Sequence, residues 1–144
     1  MPVSRRQRLV DELTSILNER YSSVGKKTLD FLIQESFVNG TYMPIGQSGW
    51  RHHKGKRYYY DQQPEEVRSM VYALSAGYAV TGDEEYYRLL HQTFRWFLGD
   101  NSLNQVVYDR TTGGCYDGVG RTTINLNQGA ESTISYLLAR LSLA

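Results

Sequence analysis

Helical segments joined alternately by short and long connections are the feature that most constrains the fold of this chain. Apolar residues recur at helical spacing in five segments: about 4–21, 26–37, 64–82, 83–99 and 129–141. Two of the connections are short turns, at residues 22–25 and 81–83, whereas the other two, about 38–63 and 100–128, are long. Alternate connections of an up-down helical array lie at the same end. The sequence therefore predicts that both long loops share one face, and loops of this length are usually functional.

Residues at the helix ends and on the helix faces indicate how the segments stack. Pro64 suits a first helical position, Gly82 a left-handed C-cap and Asp83 an N-cap, and Gly99 ends the fourth segment. Small residues fill the third and fifth segments, as inner helices require, while the fourth has one bulky and one charged face. These patterns predict an all-α fold: an α/α toroid fragment of about five alternating inner and outer helices, forming one domain over residues 1–144.

Composition excludes several classes of function. Lys and Arg total 16 against 15 for Asp and Glu, so no net charge favours nucleic acid or an anionic membrane. The basic run at residues 51–57 is short and carries no nucleic-acid motif. No apolar run is long enough to span a bilayer or to form a signal peptide. The single cysteine, Cys115, suits a reducing compartment, and we expect a cytoplasmic protein.

A weak internal repeat links the two long loops. Gln63-Pro64-Glu65-Glu66 matches Gln128-Gly129-Ala130-Glu131 at an offset of 65, each at the start of a helix that follows a loop rich in Tyr and Gly. Repeated hairpins that cannot bury their apolar faces alone are typical of stacked architectures. The repeat aligns Glu66 with Glu131 and predicts that these two glutamates occupy equivalent places in the fold.

Several longer motifs resemble a known family. They are Tyr42-Met43-Pro44-Ile45-Gly46, Gly49-Trp50, Tyr60-Asp61-Gln62-Gln63-Pro64-Glu65-Glu66, Trp96-Phe97-Leu98-Gly99-Asp100-Asn101, Tyr108-Asp109, Thr112-Gly113-Gly114-Cys115-Tyr116-Asp117-Gly118 and Asn127-Gln128-Gly129-Ala130-Glu131-Ser132-Thr133. Together they resemble the C-terminal half of the six-hairpin toroid domain found at the C-terminus of bacterial glycosyltransferases, which is related to six-hairpin glycosidase-like proteins. The resemblance implies that the protein binds or modifies carbohydrates. It does not identify the reaction, because one fold can host many different reactions.

The chain departs from that family in length. A closed ring of twelve helices needs roughly 300 residues, whereas only five helical segments are predicted here. The first and last segments would each leave an apolar stripe without a neighbour. We therefore expect either the missing N-terminal hairpins or a second copy of the chain as partner, besides a carbohydrate ligand.

Three carboxylates are the catalytic candidates, namely Asp61, Glu66 and Glu131. Enzymes that cleave glycosidic bonds usually place two carboxylates across a cleft for general acid–base catalysis at the glycosidic oxygen. A structural role for Glu66 and Glu131 stays equally open, since a glutamate in the first turn of a helix interacts favourably with the helix dipole and accepts hydrogen bonds from the free amides. We expect Asp61 and Glu131 to line one groove.

The substrate-binding candidates are polar and aromatic residues of the long loops. Amides beside the helix starts offer the paired donors and acceptors that vicinal hydroxyls need, and aromatic rings can stack on sugars. The candidates are Trp50, Tyr59, Gln62, Gln63, Tyr116, Asp117, Asn127 and Gln128. Their structural alternatives are backbone capping, a turn at Asp117 and lids over the core.

No metal and no cofactor are expected, because the adjacent His52 and His53 have no further ligand at suitable spacing. Three functions stay open. The first is a carbohydrate-active domain working with a glycosyltransferase or acting on a glycan, and the second is a non-catalytic glycan-binding module. The third is a helical scaffold for protein interactions, against which the polar helix starts at Gln63 and Gln128 count.

Overall fold

The structure is a computed structural model that describes residues 5–49, 51 and 55–143. Helix α1 spans Arg5–Ser36, α2 Pro64–Thr81, α3 Glu84–Phe94 and α4 Ala130–Leu141, and a 3-10 helix, Arg95–Leu98, continues α3. Strands β1 (Phe37–Val38) and β2 (Thr41–Tyr42) pair antiparallel, as do β3 (Gly118–Val119) and β4 (Ile124–Asn125). The described part of the chain is thus mostly helical with two small sheets.

The predicted all-α toroid of about five helices is wrong. Four α-helices form in the described residues, and both long loops contain a two-stranded sheet. The β1–β2 hairpin turns at Asn39 and Gly40, whose φ angles of 51° and 81° match the left-handed turn that joins short hairpins. In the second long loop, Ile124–Asn125 pairs with Gly118–Val119.

The predicted first and second helices are one continuous helix, α1. The turn expected at residues 22–25 does not form: the segment contains Gly25, but a single glycine within a helix costs only about 1 kcal/mol and no proline accompanies it. The Thr28 hydroxyl donates to the Val24 carbonyl at 2.9 Å, one helical turn back. Of the apolar stripe predicted on this helix, Leu13 is exposed, while the side chains of Leu9, Ile16 and Leu17 lie outside the described residues.

The boundaries of the other helices agree with the predicted ones. Helix α2 starts with Pro64 in its first turn and ends at Gly82, which has a φ of 67° and donates its N–H to the Tyr78 carbonyl. The Asp83 carboxylate accepts the Glu85 N–H at the start of α3. Gly99, with a φ of 110°, ends the 3-10 helix.

Helix α2 is central to the core. It packs against α1, α3 and α4, and its Val67, Val71 and Leu74 are fully buried. Trp96 and Phe97 of the 3-10 helix are buried beside it. The second long loop is fixed to this core, since its Tyr108 ring stacks on Tyr136 of α4 with centroids 4.0 Å apart and the Val107 N–H donates to the Phe97 carbonyl. The core therefore holds the first part of the second loop against the 3-10 helix and α4.

Among the described helices, none has the length and apolarity needed to cross a lipid bilayer.

Candidate functional site

Both long loops and the N-termini of α2 and α4 surround one polar groove with a volume of about 450 Å³. This size falls in the range of small-molecule sites. The described residues that line it are mostly polar or glycine: Gln47, Asp61, Gln63, Pro64, Glu65, Asp117, Gly118, Gly120, Thr123, Asn125, Gly129, Ala130, Glu131 and Ser132. The two loops thus meet at one face, as the alternation of short and long connections predicts.

Two hydrogen bonds join the long loops at the floor of the groove. The Gln62 N–H donates to the Val119 carbonyl at 3.0 Å, and the Val119 N–H donates back at 2.9 Å. Gly118 lies so close that a Cβ there would come within 2.7 Å of the Gln62 carbonyl oxygen. The first loop is therefore held directly against β3 of the second, beneath Asp61 and Asp117.

Glu65 and Glu131 form a carboxyl pair at the two helix starts. Each is the second residue of its helix, and the carboxyls lie within hydrogen-bonding reach of each other. The hydrogen bond with Glu65, then its charge, raises the pKa of Glu131 above its ordinary value. Arg68 forms an ion pair with Glu65 at 3.2 Å. The starts of α2 and α4 are consequently at the same end of the helices.

Glu66, the residue that the repeat aligned with Glu131, does not line the groove. Its carboxylate accepts the Gln63 N–H at 3.1 Å, and it faces a neighbouring cleft beside Tyr42 and Met70. Burial raises the pKa of Glu66 to about 7, although the hydrogen bond from Gln63 acts in the opposite direction. This contact is the helix-start role that was the structural alternative for Glu66.

Replacement of Glu66 by Gln should make the folded protein less sensitive to pH. Because the pKa of Glu66 is raised in the folded state, the native protein disfavours the carboxylate and loses stability as pH rises from about 5 to 8. Glu66→Gln keeps an acceptor for the Gln63 N–H and should raise the free energy of unfolding at pH 8 by roughly 1–2 kcal/mol, after allowance for solvent screening. Urea unfolding at pH 5 and pH 8 measures this, and an unchanged pH dependence would contradict it.

Asp61 lines the groove with an exposed carboxylate that makes no hydrogen bond to another described residue. Its backbone is fixed, because the Gln47 N–H donates to the Asp61 carbonyl at 3.1 Å. Asp61 and Glu131 therefore lie in one groove, and the Asp61 carboxylate is available to a ligand.

Asp117 also lines the groove, but its carboxylate is occupied. Oδ1 accepts the Gly129 N–H at 2.8 Å and the Ser132 hydroxyl at 2.6 Å, and Oδ2 accepts the Asn127 amide. Burial acts to raise the pKa of Asp117, yet these hydrogen bonds outweigh it and hold the pKa below its ordinary value. Asp117 thus holds the start of α4 through Gly129 and Ser132 and fixes the place of Glu131.

Three of the predicted amide contacts are structural instead. Gln62 is fully buried, and its Oε1 accepts the Trp96 indole N–H at 2.8 Å. Gln128 accepts from Thr112 at 2.8 Å and donates to Asp109 at 3.1 Å, away from the groove. The Asn127 side-chain amide donates a hydrogen bond to the Asp117 carboxylate, and Asn127 does not line the groove. Of the predicted amides, Gln63 alone lines the groove in the described part of the chain.

The aromatic candidates do not wall the groove. Tyr59 is half-exposed, with the Arg57 guanidinium 4.4 Å from its ring centroid, and the Tyr116 hydroxyl donates to Asp109. Trp50 lies outside the described residues. No aromatic side chain is among the described lining residues. The expected aromatic stacking platforms are thus absent from the described walls of the groove. Polar groups form most of those walls instead.

Sequence reasoning missed Glu65, Gln47, Thr123, Asn125 and Ser132 as groove residues. A signal for Glu65 did exist. The N-caps of α2 and α4 are Gln63 and Gly129, 66 positions apart, so the structural repeat is one residue out of step with the sequence repeat at 65. At the corrected offset Glu65 is the counterpart of Glu131.

The described residues contain no group of three or more His, Cys, Asp or Glu side chains placed to hold a metal ion. Burial raises the pKa of the Cys115 thiol to about 12, so this cysteine is an unreactive core residue.

No protein-family model matches the chain, and no curated protein matches its sequence. The resemblance to the glycosyltransferase-associated domain stays a prediction from the motifs.

Proposed function

We propose that the chain binds a carbohydrate in the groove between its two long loops and takes part in sugar processing there. The observation that carries this proposal is the convergence of free and paired carboxylates with amide and hydroxyl groups on one concave surface. Alternating donors and acceptors are what vicinal hydroxyls require, and a cavity of about 450 Å³ accommodates a small saccharide. The motifs that resemble those of glycosyltransferase-associated domains support the same class of ligand.

In this proposal Glu131 is the acid–base residue. Its contact with Glu65 raises the pKa of Glu131, which brings this carboxyl closer to the range in which a general acid works on a sugar oxygen. Carboxyls of glycosidases stand at least about 5 Å apart, so the touching Glu65–Glu131 pair acts as one acid site and Asp61 supplies the second carboxylate. Asp117 positions Glu131 by holding the start of α4.

The same proposal includes the partners and the location of the protein. A glycosyltransferase is the expected functional partner, because the motifs resemble domains attached to such enzymes. A second copy of the chain is the expected partner for the face of α4 on which Ile134, Leu137 and Leu141 are exposed. The unreactive lone thiol of Cys115 is compatible with a cytoplasmic location.

Glu131→Gln should weaken glycan binding about tenfold and abolish any turnover, because a carboxyl in charge-assisted contact with the ligand becomes a neutral amide. A glycan array followed by isothermal titration calorimetry on the best ligand measures the loss. Glu85→Gln is the matched control, since Glu85 is also the second residue of its helix but pairs with Arg88 at 2.6 Å outside the groove.

The two variants separate the functional role from the structural one. Both remove one carboxylate from the first turn of a helix at an exposed position, so both should change the melting temperature only slightly. The proposed function requires that Glu131→Gln alone changes binding. Equal affinity of the wild type and both variants would refute it.

A further inference from the structure

Helix α1 has two apolar faces, and one of them does not pack against the described part of the chain. Leu29, Leu32 and Ile33, in its last two turns, contact the core around α2. Four large apolar side chains on the other side are more than half exposed: Leu13, Tyr21, Val24 and Phe31. At about 100° per residue these four, the α1 stripe, lie within roughly 80° of one another and about 120° around the helix from the core-facing residues.

The uncovered part of α1 is long. Wherever exposure is described before Leu29, at positions 13, 15 and 18–28, the residue is exposed. Helices in proteins owe most of their stability to the packing of an apolar face, so this length of helix requires a partner. The chain exposes 9487 Å², whereas a compact monomer of 16.6 kDa exposes about 7,600 Å². The excess of roughly 1,900 Å² is larger than the about 800 Å² that each partner contributes to a stable dimer.

We propose that the α1 stripe is the interface with a second copy of the chain, whose own α1 packs against it in the antiparallel direction. The spacing of the stripe is self-complementary. Its outer residues, Leu13 and Phe31, and its inner residues, Tyr21 and Val24, are placed almost evenly about positions 22 and 23. A two-fold axis there sets Leu13 against Phe31 of the other copy and Tyr21 against its Val24. An isologous interface requires this kind of matching.

The length of the stripe favours α1 over other elements as the covering surface. From Leu13 to Phe31 the stripe extends about 27 Å along the helix. The exposed face of α4, from Ile134 to Leu141, extends only about 10 Å and would cover less than half of it. Among the described helices, α1 alone offers an exposed apolar stripe of matching length. None of its residues lines the groove, so this inference is independent of the proposed carbohydrate function.

Sedimentation equilibrium of the full 144-residue chain, without any ligand, should give twice the mass of 16.6 kDa at micromolar concentration. Val24→Glu should raise the dissociation constant of the dimer at least about 100-fold, because the two-fold axis brings the new carboxylates of both copies together in an apolar contact. Leu13→Glu, at the far end of the stripe, should also weaken the dimer. Ser22→Glu is the matched control, since Ser22 is exposed on the same helix about 160° around from Val24 and should change the constant less than about threefold.

Three results would overturn the assignment. The first is a wild-type chain that stays monomeric at about 100 µM. The second is equal weakening of the dimer by Val24→Glu and Ser22→Glu, which would show that the stripe is not the contact. The third is loss of the dimer in Leu137→Glu alone, which would place the second copy on α4. Circular dichroism should show the same helix content in the α1 variants, because the replaced side chains are exposed within one chain.

Discussion

Gln62→Leu is expected to lower the free energy of unfolding by about 2–4 kcal/mol. The Gln62 side chain is fully buried and accepts the indole N–H of Trp96 at 2.8 Å. Its amide nitrogen donates to the Tyr59 carbonyl at 3.2 Å and to the Ser102 hydroxyl at 3.4 Å. Leucine has a similar size but leaves a buried indole donor unpaired, which costs about 1–3 kcal/mol. The loss of the bonds to Tyr59 and Ser102 adds to this cost. Urea unfolding followed by circular dichroism measures the change.

Gln105→Leu is the control for this substitution. Gln105 lies in the second long loop, its side chain is exposed, and its backbone alone enters the hydrogen bonds around Asn101. The same chemical change there should alter stability by less than about 0.5 kcal/mol. If both variants were equally stable, Gln62 would not be the buried link between the two loops and the 3-10 helix.

The sequence predicted both ends of α2, the start of α3 and the end of the 3-10 helix because local chemistry encodes them. A proline at position 64, a capping aspartate at 83 and glycines at 82 and 99 each act through neighbouring backbone groups. The predicted break in α1 was wrong because Gly25 is permissive and does not by itself end a helix. The toroid prediction was wrong in a different way. It extrapolated from alternating helix faces, whereas the long loops, with their short sheets, supply much of the packing.

The place of the site could be predicted, but the roles of its side chains could not. The long loops and helix starts follow from connection lengths, and these place Asp61, Gln63 and Glu131 in one groove. Gln62 and Gln128 stand next to groove residues yet point elsewhere, because their partners Trp96 and Asp109 are distant in sequence. Successive residues at a helix start point about 100° apart, so an error of one position in the repeat selected Glu66 instead of Glu65.

Gly46→Ala is expected to lower the free energy of unfolding by about 3 kcal/mol and to disturb the groove. A Cβ at position 46 would lie 2.1 Å from the backbone nitrogen of Tyr60 and 2.2 Å from its carbonyl oxygen. The obstacle is backbone, so no rotamer change relieves it, and overpacking of this kind costs 1–3 kcal/mol or more. The Gly46 N–H also donates to the Tyr58 carbonyl at 2.9 Å. Thermal unfolding measures the loss, and binding of the best glycan from the array reports on the groove.

Gly25→Ala supplies the opposite case within the same chain. Gly25 is exposed within α1, and a Cβ there would meet no atom within 4 Å, so alanine removes the entropic cost of glycine in a helix. This variant should be more stable than the wild type by about 0.5–1 kcal/mol and should bind the glycan unchanged. The two substitutions add the same methyl group, so opposite signs of their effects would isolate the close approach of Gly46 to Tyr60 as the cause. If Gly46→Ala were as stable as Gly25→Ala, the first long loop would not be packed as described, and the position of Asp61 in the groove would be refuted with it.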